Sequence, residues 1–599
     1  MLAAIATCVS CKRSPPPPVS DGAAAAIAPF ALEARHVTTP DGVKLVMRSG
    51  RVASYDGLPL AVDVTEPDDG KPGPRPLVVL FHGWTESKSR WESKTKDNED
   101  AAVADWNNVS FASRGYAVLN YTIRGWHDSC GPLRARSKYV QTTLPEECSS
   151  RAYWVHVADP AVEIRDAQHL VGVLVDEGIA DGAHVGVAGG SYGGAHVWLL
   201  ALGGDWKSPR GANVHVAAAA PFDTWSSLTL ALVPNGRASD RELGGPRRPR
   251  EPVGVPLGTY LSGFFAGGPV AGAAFYALPG VDATADFTAW FARLEAGAPF
   301  HDEPHLDPVL HRFLDEMDRR SPLYAEPRSR PPIFQVQGFT DPLVPAIHAL
   351  EMRMKMRALD PAYPIATFLG DVGHDNAQNP RDQWDVAHAA AQQLFDHELF
   401  GKGELPAFDV TAMTTTCAAE TPRKTFRAPS FLELAKAERT FRSSEARTTT
   451  NVSVSRASAE IDPVIHHGCR TVDATLGVPS AWTFPITSAT TLLGHPRVKI
   501  RVRVVGVDAQ LNVRLWDVDG AHMTLISRGT YRFRAASRIH PDLHASEVSF
   551  LATANAWELP ASHSLRLELV GNAFPEFQPN AIPATITAET VELVLPVSE

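Results

Sequence analysis

At 599 residues the chain is too long for one hydrophobic core and must divide into several domains. Hydrophobic (44%) and charged (21%) fractions are those of an ordinary globular protein. The net charge of −11, with no concentrated basic patch, argues against a nucleic-acid partner.

The first nine residues are short and apolar from Leu2 to Val9, followed by Ser10-Cys11, Lys12-Arg13 and the proline run Pro15–Pro18. Residues 1–31 therefore read as an export signal and a stiff Pro/Ala-rich tether. Ser10-Cys11 resembles the cleavage site of a bacterial lipoprotein, which makes Cys11 a candidate lipid anchor to a membrane and the expected location extracytoplasmic and bacterial. The other four of the six cysteines form two sequence-local pairs, Cys130 with Cys148 and Cys417 with Cys469. Such pairs fit disulfides in an oxidising compartment, with buried free thiols as the alternative.

Residues 32–222 read as the first part of an α/β core. Leu60–Val64 alternates as a strand, and Leu77–Phe81 is a continuous apolar run of the kind buried on both faces of a sheet. The latter runs into His82-Gly83-Trp84. Gly115–Tyr121 is the next strand. Asp159-Pro160 predicts a helix start, with Asp as N-cap and Pro at the first position, and Val162, Ala167, Leu170, Val171 and Leu174 as its buried stripe.

His184–Ala188 is then a strand, Gly189-Gly190-Ser191-Tyr192-Gly193 a sharp turn, and Ala195–Leu200 a helix. A serine at the tip of strand, turn and helix is held out at the sheet edge, and glycines at 189 and 193 relieve the crowding around it. Strands alternating with helices predict a mostly parallel, doubly wound sheet with helices on both faces.

Residues 223–330 break the rhythm. No charged residue occurs from Pro252 to Val281, but the prolines and glycines there, and the position between two halves of one sheet, argue for a helical cap rather than a membrane span. The core resumes over 331–405, with strands at Ile333–Gln337 and Ile365–Leu369 and a helix over Gln383–Leu399. From 410 to 599 the texture is β alone. Val498, Ile500, Val502 and Leu511, Val513, Leu515 alternate as in an antiparallel sandwich of jelly-roll type.

A serine hydroxyl needs a base to take its proton and an acid to orient that base. Asp341 lies just beyond strand 333–337 and His374 just beyond strand 365–369, which gives the order serine, acid, histidine. Ser191, Asp341 and His374 are the expected catalytic residues, with Asp371 as a rival acid on the histidine's own loop. The oxyanion hole is expected from the backbone N–H groups of Tyr192 and Trp84, and the substrate pocket from His82, Trp84 and Tyr192. No cofactor or metal is expected, and His466-His467-Gly468-Cys469 reads as a loop rather than a metal site.

These motifs resemble the Xaa-Pro dipeptidyl-peptidase family of serine hydrolases, which also holds cocaine esterase, α-amino-acid ester hydrolases and glutaryl acylases. The resemblance rests on Gly-Gly-Ser-Tyr-Gly-Gly at 189–194, Arg-Gly-Tyr-Ala-Val at 114–118, Gly-Phe-Thr-Asp at 338–341 and Gly-His at 373–374. It extends to Arg514–Val518 and Ser527-Arg528-Gly529. It implies an α/β-hydrolase fold with a helical cap and a C-terminal galactose-binding-like jelly roll, acting on a small ester, amide or peptide. Some members use a tyrosine hydroxyl as an oxyanion donor where this chain has Trp84, so a backbone or indole N–H must serve here. A surface glycan-binding protein with an inert hydrolase domain is the alternative from another class.

Overall fold

The computed structural model describes residues 32–599 except 72, 130–152, 237–252, 269, 302–303, 419–420, 507 and 534–545. The expected leader with Cys11, the Cys130–Cys148 pair and the Arg/Pro-rich stretch 244–252 lie outside the described residues.

An eleven-stranded sheet organises the first two thirds of the chain. It is built from β1 (Glu33–Thr38), β2 (Lys44–Ala53), β3 (Pro59–Pro67), β4 (Arg75–Phe81), β5 (Ala117–Tyr121) and β6 (Ala180–Gly190). After a short hairpin, β7 (Trp206–Lys207) with β8 (Asn213–Val214), come β9 (Val216–Phe222), β10 (Ile333–Gly338), β11 (Ile365–Gly370), β12 (Val410–Met413) and β13 (Thr425–Ala428). The spatial order is β1-β2-β3-β5-β4-β6-β9-β10-β11-β12-β13. From β5 to β12 every pairing is parallel.

Strand β4 shows why the apolar runs are continuous. Leu77, Val79 and Phe81 enter one core with Leu170, Leu174 and Val197, whereas Val78 and Leu80 enter a second core with Phe111, Ala391 and Phe395. Side chains alternate across the sheet, so both faces are covered and both must be apolar. The first core takes helices α2 (Glu163–Asp176) and α3 (Tyr192–Leu202), the second α1 (Asn108–Ser113) and the long helix Arg381–Phe400.

Four helices lie between β9 and β10: α4 (Leu228–Leu232), α5 (Gly258–Gly267), α6 (Phe287–Glu295) and α7 (Pro308–Arg319). Helix α7 follows the amphipathic rule, with Leu310, Phe313, Leu314 and Met317 buried, Pro308 at its start and Asp307 accepting from the Leu310 N–H. Arg320, fully buried, fastens this layer to the core. It donates to the His156 carbonyl (2.6 Å) and the Thr284 carbonyl (2.6 Å), and pairs with Glu316 (2.6 Å) and Asp159 (3.1 Å). Among the described residues no helix is long and apolar enough to cross a membrane.

The remainder is a sandwich of two antiparallel sheets. One runs β22-β19-β25-β18-β23 (Ser546–Leu551, Arg497–Val505, Thr585–Val597, Thr490–Gly494, Asn555–Leu559), with β14 (Ala437–Ser443) and β15 (Arg447–Thr450) also on β25. The other runs β16-β21-β20-β24-β17 (Thr471–Asp473, His522–Phe533, Ala509–Asp519, Ser564–Val570, Ala481–Pro485). Val498, Ile500, Val502, Leu511, Val513, Leu515, Leu565, Leu567 and Leu569 fill the space between them.

Two local expectations are corrected. Helix α2 starts at Glu163, not at Asp159-Pro160. Asp159 accepts from the Ala161 N–H (2.8 Å) and pairs with Arg319 (2.6 Å) and Arg320, so it closes a turn ahead of the helix. The large sheet also does not stop where the texture changes at 410, because β12 and β13 continue it to Ala428. Cys417 and Cys469 are joined in a disulfide that ties the segment after β12 to the loop before β16. The Cys469 sulfur is thereby spent, which removes the thiolate from any metal reading of His466–Cys469.

Candidate active site

Strands β4, β6, β9, β10 and β11 are parallel neighbours, so the loops leaving their C-terminal ends converge at one edge, the place where open α/β sheets build their sites. Ser191 stands at the turn from β6 into α3 with φ 53° and ψ −118°, a strained backbone for a residue with a side chain. It is held there from both sides. Its N–H donates to the Phe222 carbonyl (3.0 Å), and its own carbonyl accepts from the Thr224 hydroxyl (2.7 Å). Gly193 has no room for a side chain, since a Cβ there would strike the carbonyl of Phe81 on β4.

His374 Nε2 lies 2.8 Å from Ser191 Oγ, and His374 Nδ1 lies 2.7 Å from Asp341 Oδ2. Asp341 is buried and fully engaged. Its Oδ1 accepts from the N–H groups of Leu343 and Val344 (both 2.9 Å), and its Oδ2 also accepts from the His374 N–H (3.1 Å). Gly373 between strand and histidine has φ +111°, and a Cβ there would run into the Asp341 carboxylate, so only glycine lets the histidine loop close down on the acid. Asp371, the rival carboxylate, accepts from Thr340 Oγ1 (2.7 Å) and from Gln378 (3.0 and 2.8 Å) and is not the histidine's partner.

Burial opposes charge on the His374 ring, but the charge and hydrogen bond of Asp341, with Asp223 and Asp375 behind, outweigh it and raise the imidazole to about 9. Among the described residues, Asp223, Asp341 and His374 bring potential metal-ligand atoms within 4.8 Å of one another. Both ring nitrogens of His374 are directed at Ser191 and Asp341, so neither lone pair faces an ion, and the arrangement suits proton transfer along serine, imidazole and carboxylate.

Two cavities meet at Ser191 and Trp84. One, of about 110 Å³, lies under the four-helix layer; Tyr192, Trp225, Phe264, Phe287 and Trp290 are among its walls, and none of its described lining residues is charged. The other, of about 430 Å³, is polar and takes Glu86, Arg90, Asp223 and His374 into its wall. The Trp84 indole stands between them, edge-on to Tyr192 (5.4 Å between ring centres), and its N–H points to the Phe264 carbonyl at 3.4 Å.

The model of the X-Pro dipeptidyl-peptidase (S15 family) matches residues 56–236, and that of the X-Pro dipeptidyl-peptidase C-terminal non-catalytic domain matches residues 413–593. The chain belongs to the X-Pro dipeptidyl-peptidase (S15) family. No curated protein matches the sequence. Among solved structures, an aminopeptidase from the marine sediment archaeon Thaumarchaeota archaeon is similar over 95% of this chain and 97% of its own, at 14% identity and a TM-score of 0.58. An α-amino acid ester hydrolase matches over 92% and 96%, at 14% identity and a TM-score of 0.58. A CocE/NonD family hydrolase from Staphylococcus aureus matches over 94% and 96%, at 13% identity and a TM-score of 0.56. At such identities the likeness is one of fold.

Within the site the expected pocket residues divide. Trp84 and Tyr192 line the apolar cavity, but His82 does not. It is fully buried behind the turn, its Nε2 accepting from the Ile123 N–H (2.9 Å) and its Nδ1–H therefore donating to the Gly83 carbonyl (2.8 Å). Burial holds its ring far down, at about 3, so it is a neutral spacer between β4 and β5.

Several residues escaped sequence reasoning. Glu163, fully buried, accepts from the Tyr192 hydroxyl (2.7 Å) and the His156 N–H (2.6 Å), with His196 Nε2 at 3.3 Å. Burial works against its charge, yet His196 and these bonds hold the carboxyl down to about 2. It anchors the residue that follows the serine. Asp223, at φ 34°, takes part in the polar cavity, and burial, opposed by His374, pushes its carboxyl up to about 6. The one sequence signal for Glu163 was a carboxylate inside the buried stripe of a helix. Asp223 directly follows the apolar strand β9, as Asp341 and His374 follow theirs at a short distance.

Proposed function

We propose that the protein hydrolyses carboxylic esters or amides through an acyl-enzyme on Ser191. His374 takes the serine proton as the hydroxyl attacks the carbonyl, Asp341 steadies the imidazolium, and the leaving group departs with that proton. Water then repeats the sequence on the acyl-enzyme. The observation that carries the reading is the continuous chain Ser191 Oγ, His374 Nε2, His374 Nδ1, Asp341 Oδ2, with its two distances of 2.8 and 2.7 Å.

The developing oxyanion would be met by the Tyr192 N–H, the first of helix α3 and without an intrahelical partner, and by the Trp84 N–H on the loop after β4. The indole of Trp84 is committed to Phe264, which favours the backbone donor on that side. The aromatic cavity beside Ser191, with no charged group among its described lining residues, favours an apolar acyl group over one bearing an ammonium, and hence an esterase over an Xaa-Pro dipeptidase. The Cys417–Cys469 disulfide supports an oxidising, extracytoplasmic location.

Fluorophosphonate labelling of the wild type and of Ser191→Ala tests the reaction class. Loss of label in the variant is expected, and a label independent of Ser191 would overturn it. A panel of p-nitrophenyl esters beside Gly-Pro and Ala-Pro p-nitroanilides tests the substrate. Turnover of the esters with apolar acyl groups is expected, and turnover of the anilides alone would reverse the assignment.

A further inference from the structure

The loops that carry Asp341 and His374 are both held from the C-terminal sandwich. Arg528 on β21 is buried and donates through Nη2 to the carbonyl of Pro342 (2.6 Å), the residue next to Asp341. Its guanidinium is fixed in turn by an ion pair with Glu576 and by the face of Phe577 at 5.2 Å. On the other side, the Gly468 N–H donates to the Asp375 carbonyl (3.1 Å), and His467 Nδ1 lies 3.5 Å from Asp375 Oδ1. Turned so that its oxygen faces the guanidinium, the buried Asn376 amide accepts from Arg470 Nη2 (2.8 Å) and Nε (3.0 Å) and donates to the His466 carbonyl (3.2 Å). The loop 466–470 that makes these contacts is pinned by the Cys417–Cys469 disulfide.

A triad tolerates little slack, because its hydrogen bonds must be short and aligned at once. Within the catalytic unit the acid loop is held by its own turn bonds at Leu343 and Val344, and the histidine loop by Asn379, which accepts from the Gly373 N–H (2.9 Å) and donates to the Gly373 carbonyl (2.9 Å). The sandwich adds a strut to each loop on the far side.

We propose that the C-terminal sandwich is a positioning element of the hydrolytic site, in which Arg528 seats the Asp341 loop and the disulfide-tied loop 466–470 seats the His374 loop. The inference rests on the Ser191 acyl-enzyme reading. It predicts that loosening either strut separates Asp341 from His374. The histidine loop is not among the described walls of the apolar cavity, so for the 466–470 strut the effect falls on kcat and on the pH dependence rather than on KM; the acid loop carries Leu343 and Val344, which do line that cavity, so for Arg528 a change in KM can accompany the fall in kcat.

The test uses the full chain with Arg528→Lys, which keeps the charge but shortens the reach, and with the surface double change Cys417→Ser/Cys469→Ser. Hydrolysis of a p-nitrophenyl ester is followed against pH, with circular dichroism to verify folding. In each variant kcat is expected to fall about 10–100-fold, the scale of a small misplacement at a reacting centre. In the cysteine variant KM is expected to stay within about twofold, and in both variants the acid limb of kcat/KM is expected to move down from the wild-type position, because Asp341, ahead of Asp223 and Asp375, is what raises His374. Fully folded variants with wild-type kcat and an unmoved limb would overturn the proposal. If Arg528→Lys fails to fold, the double cysteine change decides it alone. Fluorophosphonate labelling of the wild type separates the two hypotheses: an unlabelled wild type sinks the hydrolase reading, whereas a labelled wild type with indifferent variants sinks only this inference.

Discussion

Replacing Asp341 with Asn tests the acid directly. An Asn oxygen still accepts from the Leu343 and Val344 N–H groups, which pin Oδ1 at 2.9 Å, so the acid loop keeps its own bonds, while the His374 N–H loses its acceptor. The amide NH2 then faces His374 Nδ1, which must become an acceptor, and the proton moves to Nε2, where it confronts Ser191 Oγ. That is the wrong tautomer for a base, and kcat should fall by about 10³–10⁴-fold. The ring also loses what holds its proton. Raising an imidazole from its ordinary 6.5 to about 9 corresponds to roughly 3 kcal/mol of preference for the charged form, in a ring whose side chain is 19% exposed.

In the wild type the acid limb of kcat/KM should therefore lie well above 6.5, and in Asp341→Asn it should move down towards that value, since burial is then opposed only by the more weakly acting Asp223 and Asp375. Stability gives an independent reading. The folded value of His374 is raised, so this pair stabilises fully below about 6.5 and loses its contribution as pH rises through about 9. The difference in unfolding free energy between wild type and variant should be largest on the acid side and shrink over that window. Ester hydrolysis from pH 5 to 10 and urea unfolding over the same range measure both. An unmoved acid limb with kcat within tenfold of wild type would refute the role given to Asp341.

Glu163→Gln should destabilise the protein at neutral pH by about 1–3 kcal/mol, because a buried charged acceptor is lost. The carboxyl is depressed, so its stabilisation is present above about 4.5 and disappears as pH falls towards 2; thermal melts of the two proteins should converge there. Arg320→Met leaves Asp159 and Glu316 to the more exposed Arg319 and takes a donor from the His156 and Thr284 carbonyls; it should cost about 1–3 kcal/mol, read from denaturant midpoints. Trp290→Ala empties a buried wall of the apolar cavity. It should cost about 3–5 kcal/mol and shift the kcat/KM preference towards longer acyl chains, measured on butyrate against decanoate esters.

What could be read from the sequence was set by the sheet. Runs such as Leu77–Phe81 and Ile333–Gln337 are apolar because both faces are covered, and the residues just beyond such runs are necessarily at the sheet's edge. That logic brings Ser191, Asp341 and His374 to adjacent loops, and the side chains do stand within hydrogen-bond reach of one another. It says nothing of what packs behind the loops. His82 follows an apolar run as Asp341 does, yet its ring turns inward between two strands. Glu163 sits in a helix stripe, where only the neighbouring Tyr192 and His196 give a carboxylate a reason to be buried. Asp159-Pro160 has the form of a helix start, but Arg319 and Arg320, distant in sequence, claim the carboxylate. Arg528 likewise carries no local sign that its target is a carbonyl far back in the chain.

The continuation of the large sheet through β12 and β13 bears on how the polypeptide can be divided. A cut at 410 would strip two strands from β11 and leave its hydrogen-bonding flank bare, an invitation to intermolecular pairing. Severance after Ala428 would spare the sheet and still carry away both struts. The halves of this molecule are thus not interchangeable beads on a string: a lineage that exchanged its sandwich for another would also have to reinvent the grip on its own acid and base.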